Sequence, residues 1–295
     1  MLRPAPGPRR SWAVVAAFLA TLLLPAAGRT EPLLWRVSDG DSTVYLFGTL
    51  HALKPGIGWE STTVKEALAR SDSLWLETEL ASSRGPELVR ELGIARQRPL
   101  SDHLEPELLA DVANLSRKLG LDFAQVDQMR PWLAAVTLTA AAMRQSGFTA
   151  TGADVVLARE ATLHAIEIAG LDDGDRPVEI FASLPPSSET ALLAMAAADL
   201  DAQPPSFALL FQAWLEGNET GLQRYGTEDL RTADPALYER VIVARNRGWV
   251  AKVEDLLLGR GTHFVAIGCL HLVGPDNLRL LLADRGYRVE PVRSF

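Results

Sequence analysis

A chain of 295 residues that is 47% hydrophobic and 22% charged, with 18 Pro and 22 Gly, is neither a disordered tail nor a fibre and leaves room for one or two globular domains. Its 37 acidic against 29 basic residues give a formal charge of −8, which excludes a nucleic-acid partner or an anionic membrane surface as a first reading, because both need clustered Lys and Arg. The single cysteine, Cys269, cannot form an internal disulfide, so stability has to come from a packed core.

The N-terminus reads as an export signal: Arg3, Arg9 and Arg10 precede an uncharged apolar stretch from Trp12 to Leu24, followed by Ala26-Ala27-Gly28 and the polar Arg29-Thr30-Glu31. Residues 1–28 are therefore expected to be a signal peptide cut near Gly28, with an uncleaved anchor as the alternative, and residues 29–295 a single domain. The Arg9-Arg10 pair matches a twin-arginine signal only in part, and no lipid-attachable cysteine follows the apolar stretch. Removing the three arginines takes the charge from −8 to −11, so the exported body is more acidic than its precursor. A periplasmic or secreted location follows, with membrane contact only through an uncleaved N-terminus.

Leu33 to Val37 and Thr43 to Phe47, separated by Ser38-Asp39-Gly40-Asp41, predict a β-hairpin. Val64, Ala67 and Leu68 recur at helical spacing, and Leu74-Trp75-Leu76 then reads as a buried strand ending at Glu77. From about Leu108 to Leu258 the pattern is mostly helical. Leu108, Val112, Leu115 and Leu119 form one stripe, Pro131 opens a further helix, Ala191 to Ala198 lies in another, and Pro185-Pro186 and Pro204-Pro205 mark loops. The end returns to strand (Phe264 to Ile267), helix (Asn277 to Ala283) and strand (Tyr287 to Val292). The expected fold class is α/β, with a sheet built from the N- and C-terminal segments and a largely helical middle.

The two ends share a motif. Gly48-Thr49-Leu50-His51 and Gly268-Cys269-Leu270-His271 each follow an apolar strand, and groups just beyond the carboxyl ends of parallel strands converge on a ligand crevice. Glu77 holds the same kind of place, where a carboxylate needs a cation or a donor. Two neutral imidazoles and a carboxylate form a recurring ligand set for a divalent transition metal, so His51, Glu77 and His271 are metal candidates; capping or core histidines are the alternative. His103, His164 and His263, the last placed before its strand, lack this context and are read as structural.

Arg245 interrupts the apolar row Leu237, Val241, Trp249, Val253. A helix burying that row buries a guanidinium, which calls for an anion such as Glu77, another acid, or a substrate carboxylate or oxyanion; an arginine snorkelling at the edge is the alternative. Asp154, after Gly152-Ala153, reads first as an acid at a helix N-terminus and second as a site residue. Cys269 reads as a buried thiol.

With these residues in view, the chain resembles the TraB/GumN family, grouped with the Tiki proteins of animals, from about Leu33 to the C-terminus. The resemblance rests on Leu34-Trp35-Arg36-Val37, Ser42-Thr43-Val44-Tyr45-Leu46, both Gly-x-x-His motifs, Leu74-Trp75-Leu76-Glu77, Arg130-Pro131-Trp132, Gly152-Ala153-Asp154, Arg245-Asn246 with Trp249, and Leu272-Val273-Gly274. It implies a fold like that of the erythromycin-esterase and haem-binding ChaN proteins, with both histidines, the Glu and the Arg in one site. It also implies metal-dependent proteolysis with manganese or cobalt, as in the animal members. Where bacterial members usually carry Leu-Glu and then a Gln, this chain has Leu171-Asp172-Asp173-Gly174. Asp172 takes the Glu position one methylene shorter, and the Gln is missing.

The expected activity is that of an exported metal-dependent hydrolase acting on a peptide or protein substrate, with manganese, cobalt or zinc as the ion. His51, Glu77 and His271 would hold the ion, Arg245 would stabilise an oxyanion, and Asp154 and Asp172 would act as supporting or acid-base groups. A non-catalytic periplasmic binding or polysaccharide-export accessory protein, and an esterase on the same site, are the competing readings.

Overall fold

The strand Ser42–Thr49 is apolar on both faces, with Val44 and Leu46 on one side and Tyr45 and Phe47 on the other, so it is stable only when covered twice. The computed structural model describes residues 31–78, 84–95 and 97–295; the expected export signal, residues 1–28, lies outside them. The sheet consists, in chain order, of β1 (Leu34–Ser38), β2 (Ser42–Thr49), β3 (Ser73–Thr78), β4 (Glu167–Asp172), β5 (Gly261–Gly268) and β6 (Arg288–Pro291). Their spatial order is β4-β3-β5-β2-β1-β6. The four strands β4, β3, β5 and β2 run parallel, while β1 pairs antiparallel with both β2 and β6.

One face is covered by the helices Thr62–Ala69, Ala153–Leu163 and Ser206–Leu215, which bury Leu68, Leu157 and Trp214 against Phe47, Leu74 and Phe264. The other face carries Ala244–Leu258 and Leu278–Asp284, whose Trp249, Val253 and Leu282 pack on Val44, Leu46 and Val265. The fold is therefore α/β with a helical middle. Three of the middle helices, Pro106–Lys118, Pro131–Gln145 and Pro186–Asp201, build a separate apolar cluster around Leu138 and Leu193. Each opens on a proline, which loses nothing where the first helical N–H has no partner.

The middle is largely helical and also supplies one strand, Glu167–Asp172, which forms edge strand β4 parallel to β3. Only Leu171 of that strand is buried, and its register comes from the ladder. One reading of the sequence needs correction. His263 lies inside β5, not before it, and its Nδ1 and Ser73 Oγ share a 2.8 Å hydrogen bond at the amino end of the sheet. Ser73 Oγ is fixed in turn by a 2.9 Å bond from Trp75 Nε1, so this histidine ties two strands together.

Candidate active site

Because four strands run parallel, four segments leave the sheet at the same edge. Beyond that edge lie His51 after β2, Glu77 in β3, Asp172 at the end of β4 and His271 after β5. The two Gly-x-x-His copies sit on adjacent strands one residue out of register: Gly48 pairs with Ile267, and Thr49 pairs with Gly268. The copies then diverge. Gly268 leads into a 3₁₀ turn, Cys269–Leu272, that buries the His271 side chain to 6% exposure, whereas His51 remains 65% exposed. The two glycines permit close approach, since a Cβ on Gly48 would lie 2.9 Å from Cys269 Cβ and one on Gly268 would lie 2.8 Å from Glu77 Oε1.

Arg245, on the helix Ala244–Leu258, sits at the centre. Its Nη2 donates to Glu77 Oε2 at 2.6 Å, its Nε to Asp172 Oδ2 at 2.9 Å, and its Nη1 to His271 Nε2 at 3.3 Å. The guanidinium is 11% exposed and stands 4.4 Å from the centre of the Trp249 ring. It is the buried guanidinium with an anionic partner that the apolar row calls for, and it has two such partners. The free oxygens of those carboxylates are also occupied: Gly268 N–H donates to Glu77 Oε1 at 2.6 Å and Trp249 Nε1–H to Asp172 Oδ1 at 2.9 Å. Asp172 thus reaches the guanidinium despite its shorter side chain.

The two imidazoles are oriented by oxygen acceptors on their outer nitrogens. His51 Nδ1–H donates to Asp154 Oδ2 at 3.1 Å, across from the first turn of the helix Ala153–Leu163. His271 Nδ1 lies 2.8 Å from Asn246 Oδ1, and Asn246 Nδ2 donates to the carbonyls of Asp276 at 2.8 Å and His271 at 3.4 Å. Carbonyls only accept, so the Asn246 oxygen must face His271, and the imidazole proton must sit on Nδ1. The lone pair of His271 Nε2 then points inward, where Arg245 donates to it. Both Nε2 atoms face the same oxygen, Glu77 Oε1, at 3.9 Å from His51 and 4.0 Å from His271.

Electrostatics separate the two histidines. The hydrogen bond to Asp154 raises the His51 imidazole to about 9, outweighing burial, with help from Glu77. Burial lowers His271 to about 4, with Arg245 and His51 pushing the same way. Burial alone would raise Glu77, but His271, Arg245, His51 and the Gly268 N–H together hold it at about 2. Cys269 is buried, and desolvation pushes its thiol to about 12, which leaves it without thiolate chemistry near neutrality.

In donor type and orientation, His51, Glu77 and His271 fit a divalent ion, because both outer nitrogens are engaged and both inner ones turn to one carboxylate oxygen. Among the described residues no three His, Cys, Asp or Glu side chains are drawn together to ligating distance. The cluster lines a cavity of about 560 Å³ whose walls also include Leu50, Leu76, Ile180, Phe181, Ile242 and Leu270. Asn246, fully buried, belongs to the site although the sequence left its role open; it interrupts the row Val250, Val253, Leu257 as Arg245 interrupts its own. Trp249, read only as an apolar position, also binds Asp172. His103 bonds to Pro99 O at 2.8 Å and His164 caps a helix, so neither joins the cluster.

A sequence profile of the TraB/PrgY/gumN family matches residues 33–291. The uncharacterized protein YbaP of Escherichia coli (strain K12) is 23% identical over 266 residues, covering 87% of this chain and 96% of that protein. YbaP of Shigella flexneri matches to the same extent. The profile spans β1 through β6 and every residue of the polar cluster, and on that match the chain belongs to the TraB/PrgY/gumN family.

Proposed function

We propose that the protein is an exported metal-dependent hydrolase that cleaves peptide bonds. The observation that carries this reading is the convergence of two inward-facing imidazoles, two carboxylates and a guanidinium beside a cavity with many apolar wall residues. His51, Glu77 and His271 would hold the ion. A divalent ion bound there supplies Lewis-acid polarisation of a carbonyl and activation of water.

The chain's own residues do the rest. Asp154 and Asn246 keep both imidazoles turned with Nε2 inward. Arg245 balances Glu77 and Asp172, and one N–H on each of its terminal nitrogens remains for an oxyanion. The apolar walls exclude water and strengthen those interactions. Export is supported by the charge and apolar pattern of residues 1–28; among the described residues no helix is long and apolar enough to cross a membrane.

The test is metal analysis of the purified protein beside His51→Ala and His271→Ala, with turnover of a quenched-fluorescence peptide library and an ester panel by the same manganese-, cobalt- or zinc-loaded samples. Metal retention and peptide cleavage, both lost in the variants, are expected. Metal at background with wild-type turnover in His51→Ala would sink the proposal. Cleavage of esters alone would reassign the substrate, and ligand-dependent thermal stabilisation without turnover would favour a binding protein.

A further inference from the structure

The segment Arg130-Pro131-Trp132 contributes nothing to the polar cluster, yet it is tied to one wall of the cavity. Arg130 Nη1 donates to Leu92 O at 3.0 Å and Nη2 to Ala182 O at 2.9 Å, and the guanidinium pairs with the buried Glu189. Trp132 is buried and stacks on Phe181 with ring centroids 6.1 Å apart and planes 15° apart. Both contacts act on the helix Arg176–Ala182, which presents Ile180 and Phe181 to the cavity. This wall is buttressed, and a buttressed apolar wall selects by shape.

Charge reinforces shape. The charged and titratable groups lining the cavity, His51, Glu77, Asp154, Arg245 and His271, all belong to the polar cluster and pair with one another, Asp154 with His51 and Glu77 with Arg245. A charged side chain of either sign pushed in among Ile180, Phe181 and Leu270 would be desolvated against apolar groups, whereas an apolar one gains by leaving water. We propose that the apolar wall formed by Ile180, Phe181 and Leu270 is the side-chain subsite of the hydrolase. It takes a large uncharged residue of leucine or phenylalanine type adjoining the bond to be cleaved, with Ile180 and Phe181 setting that preference. The subsite rests on the hydrolase reading above.

Binding is measured by NMR titration of the purified protein with N-acetyl-phenylalaninamide, N-acetyl-leucinamide and N-acetyl-lysinamide. The two apolar amides should bind at least about tenfold more tightly than the charged one, and Phe181→Ala should weaken the phenylalanine amide by about tenfold. Ile180→Ala serves as a second variant should Phe181→Ala fail to fold by circular dichroism. Equal affinities for all three amides, or unchanged affinities in the folded variants, would overturn the subsite. The peptide library separates the two levels: cleavage with no apolar preference refutes the subsite and leaves the hydrolase, while selective amide binding without cleavage refutes the hydrolase and leaves the subsite.

Discussion

Replacing Arg245 by Met keeps the unbranched apolar stem and removes the charge, which leaves Glu77 and Asp172 facing each other in a buried site. Both carboxylates are largely shielded, with side-chain exposures of 12% and 18% against 11% for the arginine. Removing one partner of such a pair costs about 3–5 kcal/mol, because two shielded like charges lose the cation between them. For a chain of this size each kcal/mol lowers the melting temperature by about 2–4 °C, so Arg245→Met should melt roughly 6–20 °C below wild type. The deficit should shrink on acidification, since Glu77, no longer held at about 2, would take up a proton. It should also shrink in the triple variant with Glu77→Gln and Asp172→Asn. The assay is thermal unfolding by circular dichroism at pH 7 and pH 4. A melting temperature within 2 °C of wild type, or a deficit that the triple variant leaves intact, would refute the idea that the guanidinium neutralises both acids.

The titration of His51 should have its midpoint near 9 by NMR, falling toward the ordinary imidazole value of 6.5 in Asp154→Asn; an unmoved midpoint would remove Asp154 as the cause. Stability should peak near pH 6.5. The raised His51 contributes fully below 6.5 and less as pH climbs toward 9, while the lowered His271 loses stability as pH falls from 6.5 to 4 and Glu77 adds loss toward 2. Urea unfolding across that range checks it, and a curve still rising at pH 9 would contradict it. Asn246→Leu strands the Asp276 carbonyl and the His271 Nδ1–H, so it should cost about 1–3 kcal/mol and release His271 from a single tautomer, read by ¹⁵N chemical shifts; an unchanged tautomer would show that Asn246 does not set it. Cys269 should resist thiol reagents until the protein unfolds, and fast labelling of the folded protein would show that the thiol is not closed off.

Periodicity located most of the sheet and the helices, because strands apolar on both faces and long amphipathic stripes announce themselves. Strand β4 was silent because an edge strand with one buried residue borrows its order from β3. In the site, each candidate carried one signal: His51 and His271 a glycine at a strand exit, Glu77 a carboxylate closing a buried apolar strand, and Arg245 a charge in an apolar row. The carboxylates that answer Arg245 could not be assigned from spacing, because the contacts cross 168 and 73 residues of chain. Asn246 carried the same signal as Arg245 but needed the helix phase to be fixed before its row could be recognised.

The pairing of β2 with β5 joins Ser42 to Gly261, and the polar cluster lies beyond the far end of that ladder. Almost the whole chain must therefore be synthesised before the first and last catalytic candidates can meet. Loop closure over such distances is slow, and parallel pairing rewards it late. A nascent or truncated chain ending before the helix Ala244–Leu258 would hold His51 and Glu77 with no Arg245 or His271 between them, and so would carry an uncompensated acid at an unfinished sheet edge. Assembly of the polar cluster is thus tied to synthesis of nearly the whole chain.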